Sequence, residues 1–103
     1  MTITKKKEGD EITVFIEGAL DINTAPELDK ELEGELDDVN HVIFDMAKND
    51  YTSSAGLRVL LKVFQVLDKK KGKMVLKNVN EVFYDVLKLS GFTSFLEVQK
   101  AEG

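Results

Sequence analysis

The 103-residue chain has no cysteine, no tryptophan, one proline and one histidine. Without cysteine there is neither a disulfide framework nor a thiolate nucleophile. The lone His41 has no histidine or cysteine at ligand spacing, so no metal site is expected. The patterns G-x-x-x-x-G-K-[ST] and G-x-G-x-x-G are both missing, which removes the common phosphate-cradling loops. No apolar run approaches the about 20 residues that span a bilayer, so membrane insertion is not expected. The start, "MTITKKKEGD", is charged and lacks an apolar stretch, so it does not read as a secretory signal. A cytoplasmic protein is the expectation. Nor is there a basic excess: 14 Lys and Arg stand against 19 Asp and Glu, a net charge of −5. Phosphate backbones need clustered cations, so nucleic acid is not an expected partner. An acidic surface suits solubility, or docking to a basic protein face.

What is present is periodicity. In "EITVFIEG", Ile12, Val14 and Ile16 alternate with Thr13, Phe15 and Glu17, which is strand patterning. "TITKKK" supplies the other arm of a hairpin through Glu8-Gly9-Asp10. A helix is expected over about residues 25–37, with Thr24 and Glu27 as a T-x-x-E capping box and Pro26 in the first turn. Leu28, Leu32 and Leu36 give it an apolar stripe. "HVIFDM" reads as a central strand covered on both faces.

"SAGLRVLLKVFQVLDKKKG" is the longest helix. Leu57, Leu60, Leu61 and Phe64 share one face, Arg58, Lys62, Gln65 and Lys69 make a narrow polar stripe, and Gly72 is the expected C-terminal cap. "KMVLKN" is a strand, and "VNEVFYDVLKLSG" a helix with Val79, Val82, Phe83, Val86 and Leu87 inward. "SFLEVQK" is a last short strand, and only "KAEG" is expected to fray. The order β-β-α-β-α-β-α-β predicts one α/β domain over residues 1–103. Its sheet is mixed and mostly parallel, of about five strands joined by right-handed crossovers, with three to four helices.

Few residues offer chemistry. Asp21, Asp45 and Asp50 are candidates for a carboxylate cluster, although such groups in an acidic chain are usually solvated. A Ser-His-Asp arrangement is open by composition, with Ser54 as nucleophile and His41 as base, but "SSAG" is not the G-x-S-x-G elbow. The stretch "DYTSSAGLRVLL" is the most informative. A serine before an apolar periodic run is ordinarily an N-cap. Yet a loop leading from a strand end into a helix is also where α/β sheets place their sites. A phosphate on a serine there would meet the positive end of a long helix and add about −1.5 to −2 charge to an exposed loop.

Three ordered segments resemble the anti-sigma factor antagonists, the single-domain members of the STAS family. "VIFDMAKNDYTSSAGLRVLL" is similar to the family's apolar strand followed by "[DS]-S-[STA]-G-L". "IEGALDINTAPEL" is similar to its "G-x-L-D-x-x-T-A", and "LKLSGF" to its "[LM]-S-G-[LF]". The resemblance implies a non-enzymatic binding switch in which Ser54 is phosphorylated by an anti-sigma factor that is itself a serine kinase. Unphosphorylated, such a protein sequesters the kinase and frees a sigma factor; a PP2C-type phosphatase resets it. ATP and Mg²⁺ belong to the kinase, so no cofactor is expected here. The resemblance assigns Asp21 to a position beside the acceptor, Gly56 to the tight start of the helix and Leu57 to its first buried residue. Asp21, Ser53, Ala55, Gly56 and Leu57 form the implied docking rim. One departure stands out: Ser53 occupies the position that sporulation-type antagonists fill with Asp. A STAS scaffold or accessory subunit, of a lipid-transport or stress-sensing complex, would keep the same rim without the modification.

Overall fold

The computed structural model describes residues 1–102. Alternation in the second segment does what its pattern demands. Ile12, Val14 and Ile16 are at most 1% exposed, while Phe15, between them, is 39% exposed. The strands are β1 (Thr2–Glu8), β2 (Glu11–Glu17), β4 (His41–Asp45), β6 (Lys73–Val79) and β7 (Glu97–Lys100), in the spatial order β1-β2-β4-β6-β7. The hairpin pair β1–β2 is antiparallel, and the pairs β2–β4, β4–β6 and β6–β7 are parallel. Three helices make the crossovers: α1 (Ala25–Glu31), α2 (Ser54–Lys69) and α3 (Glu81–Leu89), followed by a 3-10 turn at Phe92–Ser94. The order is the expected one with two additions. The two-residue strands β3 (Ala19–Leu20) and β5 (Tyr51–Thr52) pair with each other in parallel, apart from the main sheet.

One apolar core joins the inward face of the sheet to the helices. Val42, Phe44, Leu76, Leu28, Leu60 and Leu87 all lie in it, fully buried. β4 is therefore not covered on both faces as its apolar run suggests. Val42 and Phe44 point into the core, but Ile43 is half-buried and His41 exposed. Thr13, Ile43 and Val75 stand in register on the outer face, which no helical layer covers. No described helix is long and apolar enough to cross a membrane.

Other local expectations shift for identifiable reasons. α1 ends at Glu31 instead of about 37, because Gly34 adopts φ +78° and the chain leaves in turns; Leu32 still reaches the core and Leu36 packs against it half-buried. Thr24 does not form a capping box, since its side chain makes no cap bond to α1. Its hydroxyl instead accepts from the Asp21 amide (2.8 Å) and donates to Ala19 O (2.9 Å). On α3, Phe83 and Leu87 are buried, but Val82 and Val86 are 75% and 47% exposed. A nine-residue helix resting on a sheet edge buries only a narrow stripe.

Gly72 has a different task from the one its position suggests. The left-handed residue that ends α2 is Lys71, φ +60°. Its amide and that of Gly72 bond back to Asp68 O and Leu67 O in a Schellman-type closure. A Cβ on Gly72 would sit 2.5 Å from Asn40 O, the carbonyl that accepts from the Lys73 amide. The glycine is there for close approach of two backbones. Gly72→Ala is expected to destabilise the fold by about 1–3 kcal/mol, read as a lower urea midpoint with an unchanged m-value; an unchanged midpoint contradicts this packing.

Candidate functional site

The candidate site is built where β2 and β4 end and their loops pair. β3 and β5 align Ala19 with Tyr51 and Leu20 with Thr52. The Ser53 amide then donates to Leu20 O at 2.9 Å, so the chain enters α2 alongside the loop that carries Asp21. Gly56 is buried within this contact: a Cβ there would lie 2.6 Å from Leu20 Cγ and 2.8 Å from Leu20 O. Only glycine lets the first turn of α2 lie directly on β3.

The two serines divide the work that the sequence leaves ambiguous. Ser53 is the N-cap, with extended backbone, and its Oγ accepts from the Gly56 amide at 3.4 Å. Ser54 is the first helical residue and is exposed. Among the described residues none is hydrogen-bonded to the Ser54 hydroxyl. The first turn of α2 holds no acidic side chain. The chain's one arginine, Arg58, stands one helical turn along, also exposed. The helix-end amides bring positive partial charge to the Ser54 side of α2, which suits an added anion.

Asp21 faces its own loop. Its Oδ1 accepts from the amides of Asn23 (2.9 Å) and Thr24 (3.1 Å). These bonds to the charged form hold its carboxyl below the ordinary carboxylate range, the Asn23 amide contributing most. Asp21 therefore fixes the turn into α1, one residue from the Leu20 carbonyl that anchors Ser53. Ala55 and Leu57 are half-buried and pack against the core; Gly56, not Leu57, is the first buried residue of α2.

Two residues that sequence reasoning passed over lie on the loops beside Ser53 and Ser54. Ile22 is 74% exposed and Tyr51 56%, one from each loop. Their signal is an apolar residue inside a polar turn, visible only once the turn is known to be solvated. Asp45 does not join Asp21 and Asp50; its Oδ1 accepts from Asn78 Nδ2 (3.1 Å) and the Ala47 amide (3.0 Å). Among the described residues no group of three or more His, Asp or Glu is placed to hold a metal ion. His41 starts β4, in register with Glu11 and Lys73, at the end away from the loop that carries Ser54. Four strand steps of about 3.3 Å each separate it from Asp45, and the loop lies beyond. A nucleophilic Ser54 has no base in His41.

Comparison with known proteins shows the family. The sequence model of the STAS domain matches residues 2–103, and the chain belongs to that family. BtrV of Bordetella bronchiseptica, which carries the name of an anti-sigma factor antagonist, is 32% identical over 99 residues, covering 95% of this chain and 85% of that protein. The anti-sigma-B factor antagonist of Listeria monocytogenes is 26% identical over 100 residues, covering 96% and 88%. Among solved structures, a Thermotoga maritima protein described as an anti-sigma factor antagonist superposes with TM-score 0.88 at 18% identity, over 96% of this chain and 86% of that one. SpoIIAA in its unphosphorylated form superposes at 0.79 with 14% identity, over 98% and 90%. At such identities the structures attest the fold.

The division of labour between the serines has a direct consequence. Ser53→Ala is expected to cost about 0.5–1 kcal/mol of stability as a lost cap, whereas Ser54→Ala stays within about 0.5 kcal/mol of wild type. Equal losses in urea titrations would contradict the assignment. The Asp21 turn is expected to persist at every pH above the ordinary carboxylate value and to open as pH falls through its lowered folded value. The amide shifts of Asn23 and Thr24 report this in an NMR titration. A midpoint at or above the ordinary value of about 3.9 would contradict the bonding described.

Proposed function

We propose that the chain is an anti-sigma factor antagonist, a non-enzymatic binding switch controlled by phosphorylation of Ser54. The observation that carries the reading is the state of that hydroxyl: exposed and unbonded on the first turn of α2, while its neighbour does the capping. The names borne by its relatives support the same reading. The partner is an anti-sigma factor that is also a serine kinase. It supplies ATP and Mg²⁺ and docks on the rim of Asp21, Ser53, Ala55 and Leu57, to which Ile22 and Tyr51 add apolar contact; Gly56, buried against Leu20, shapes that rim from within. A PP2C-type phosphatase reverses the modification, and the exchange takes place in the cytoplasm.

The mechanism is electrostatic. The free antagonist presents an uncharged hydroxyl flanked by the exposed Ile22 and Tyr51, which a partner covers without burying a charge at position 54. Phosphate adds about −1.5 to −2 charge at that spot. Locally the Ser54 and Ala55 amides and Arg58 accommodate it, so the fold survives. At the docking face the new charge must be desolvated or expelled, and an interface that buries it unpaired loses several kcal/mol. Phosphorylation thus releases the partner without unfolding the switch. An unmodified scaffold role has no observation in its favour: it needs no free hydroxyl at position 54.

Ser54→Ala is expected to bind the kinase as tightly as wild type and to take no phosphate. Ser54→Asp is expected to bind at least tenfold more weakly, about 1.4 kcal/mol, by calorimetry. An aspartate variant that binds like wild type would overturn the switch.

A further inference from the structure

Asn49 is the one buried polar side chain among the described residues, 4% exposed. Its amide is fully used. Nδ2 donates to Gly18 O and to Tyr51 O, both at 2.9 Å, and Oδ1 accepts from Thr52 Oγ1 at 2.9 Å. Its backbone carbonyl accepts from Asn80 Nδ2 at 3.3 Å, and Asn80 Oδ1 in turn caps α3 by accepting from the Phe83 amide at 2.8 Å. One residue therefore ties together the end of β2, strand β5 and the N-terminus of α3. None of these bonds is to Ser54, yet Tyr51 and Thr52 are the residues through which the chain reaches Ser53 and Ser54.

The chemistry asks for an amide of this length. Two carbonyls need donors and one hydroxyl needs an acceptor, all at one buried side chain whose partners are only partly covered. Aspartate offers no donor and would set a carboxylate against two carbonyl oxygens. Leucine would leave all three groups unpaired, and buried unpaired polar groups are costly. We infer that Asn49 is a positioning residue for the acceptor: it fixes the path of residues 51–53 and so the direction in which the Ser54 hydroxyl leaves the surface. This rests on the reading of Ser54 as the phosphoacceptor. In-line phosphoryl transfer depends on placement of the nucleophile, and a displacement of about 1 Å can cost about 10²-fold in rate.

The test uses the protein alone first. Amide hydrogen exchange is followed by NMR in wild type, Asn49→Ala and the isosteric Asn49→Asp, at a temperature where all are folded. Exchange is expected to quicken at least tenfold at Ser53, whose amide bonds Leu20 O, and at Phe83, capped by Asn80. Amides in the β4–β6 ladder stay within about threefold of wild type. Uniform quickening, or none at Ser53, overturns the inference, as does an aspartate variant that behaves like wild type.

The second readout is steady-state phosphorylation of Ser54 by whichever serine kinase modifies the wild-type chain, with ATP and Mg²⁺. We expect kcat to fall at least tenfold with KM for the antagonist within about twofold. An unchanged kcat beside a local exchange effect leaves Asn49 a structural tie and overturns the positioning role. A wild-type chain that no kinase phosphorylates on Ser54 removes the acceptor reading, and the positioning role with it, whatever the exchange pattern.

Discussion

The contact between Gly56 and Leu20 is the constraint on which the Ser53–Ser54 junction depends. It brings the first turn of a sixteen-residue helix onto the backbone of a two-residue strand, at a distance that any Cβ would violate. Because the helix lies there, the Ser53 amide reaches Leu20 O and the Ser53 hydroxyl turns inward to cap. Because Ser53 caps, Ser54 is left free on the outside. The exposure of one hydroxyl thus follows from the absence of one methyl group two residues away.

The same arrangement would let a small fold tolerate the large change of charge proposed at Ser54. α2 is anchored along its length by Leu60, Val63 and Leu67, far from its N-terminus. The phosphate proposed at Ser54 would sit at the N-terminal amides of the helix, outside the core. The remaining surface is acidic, net −5, so the added charge deepens an existing repulsion toward acidic partners. In the proposed switch stability and binding are separated in space: the core carries the first, the paired loops the second.

Much of this was legible in sequence, and the exceptions have physical causes. Period-two alternation located Ile12, Val14 and Ile16, and the ordered "LD…T-A" and "SSAGL" segments placed Asp21 and Ser54 on neighbouring loops. Which serine capped the helix was not legible, because both have the same chemistry and only the backbone path separates them. The tie made by Asn49 is a tertiary network between loops and leaves no periodic trace. Thr24 misled because a T-x-x-E pattern says nothing of competitors, and the Asp21 amide and the Ala19 carbonyl engage its hydroxyl instead. The openness of one sheet face was hidden by Ile43, whose aliphatic side chain fits a strand whether covered or half-exposed. Val82 and Val86 were assigned inward because helical periodicity finds a stripe without its width.

The most direct test of the central claim is mass spectrometry of the protein from its native cells, with and without phosphatase treatment, followed by peptide mapping across residues 45–62. The account predicts a single phosphatase-sensitive phosphate, on Ser54 and not on Ser53, whose hydroxyl is committed to the cap. A phosphate confined to Ser53, or none under any growth or stress condition, would contradict it.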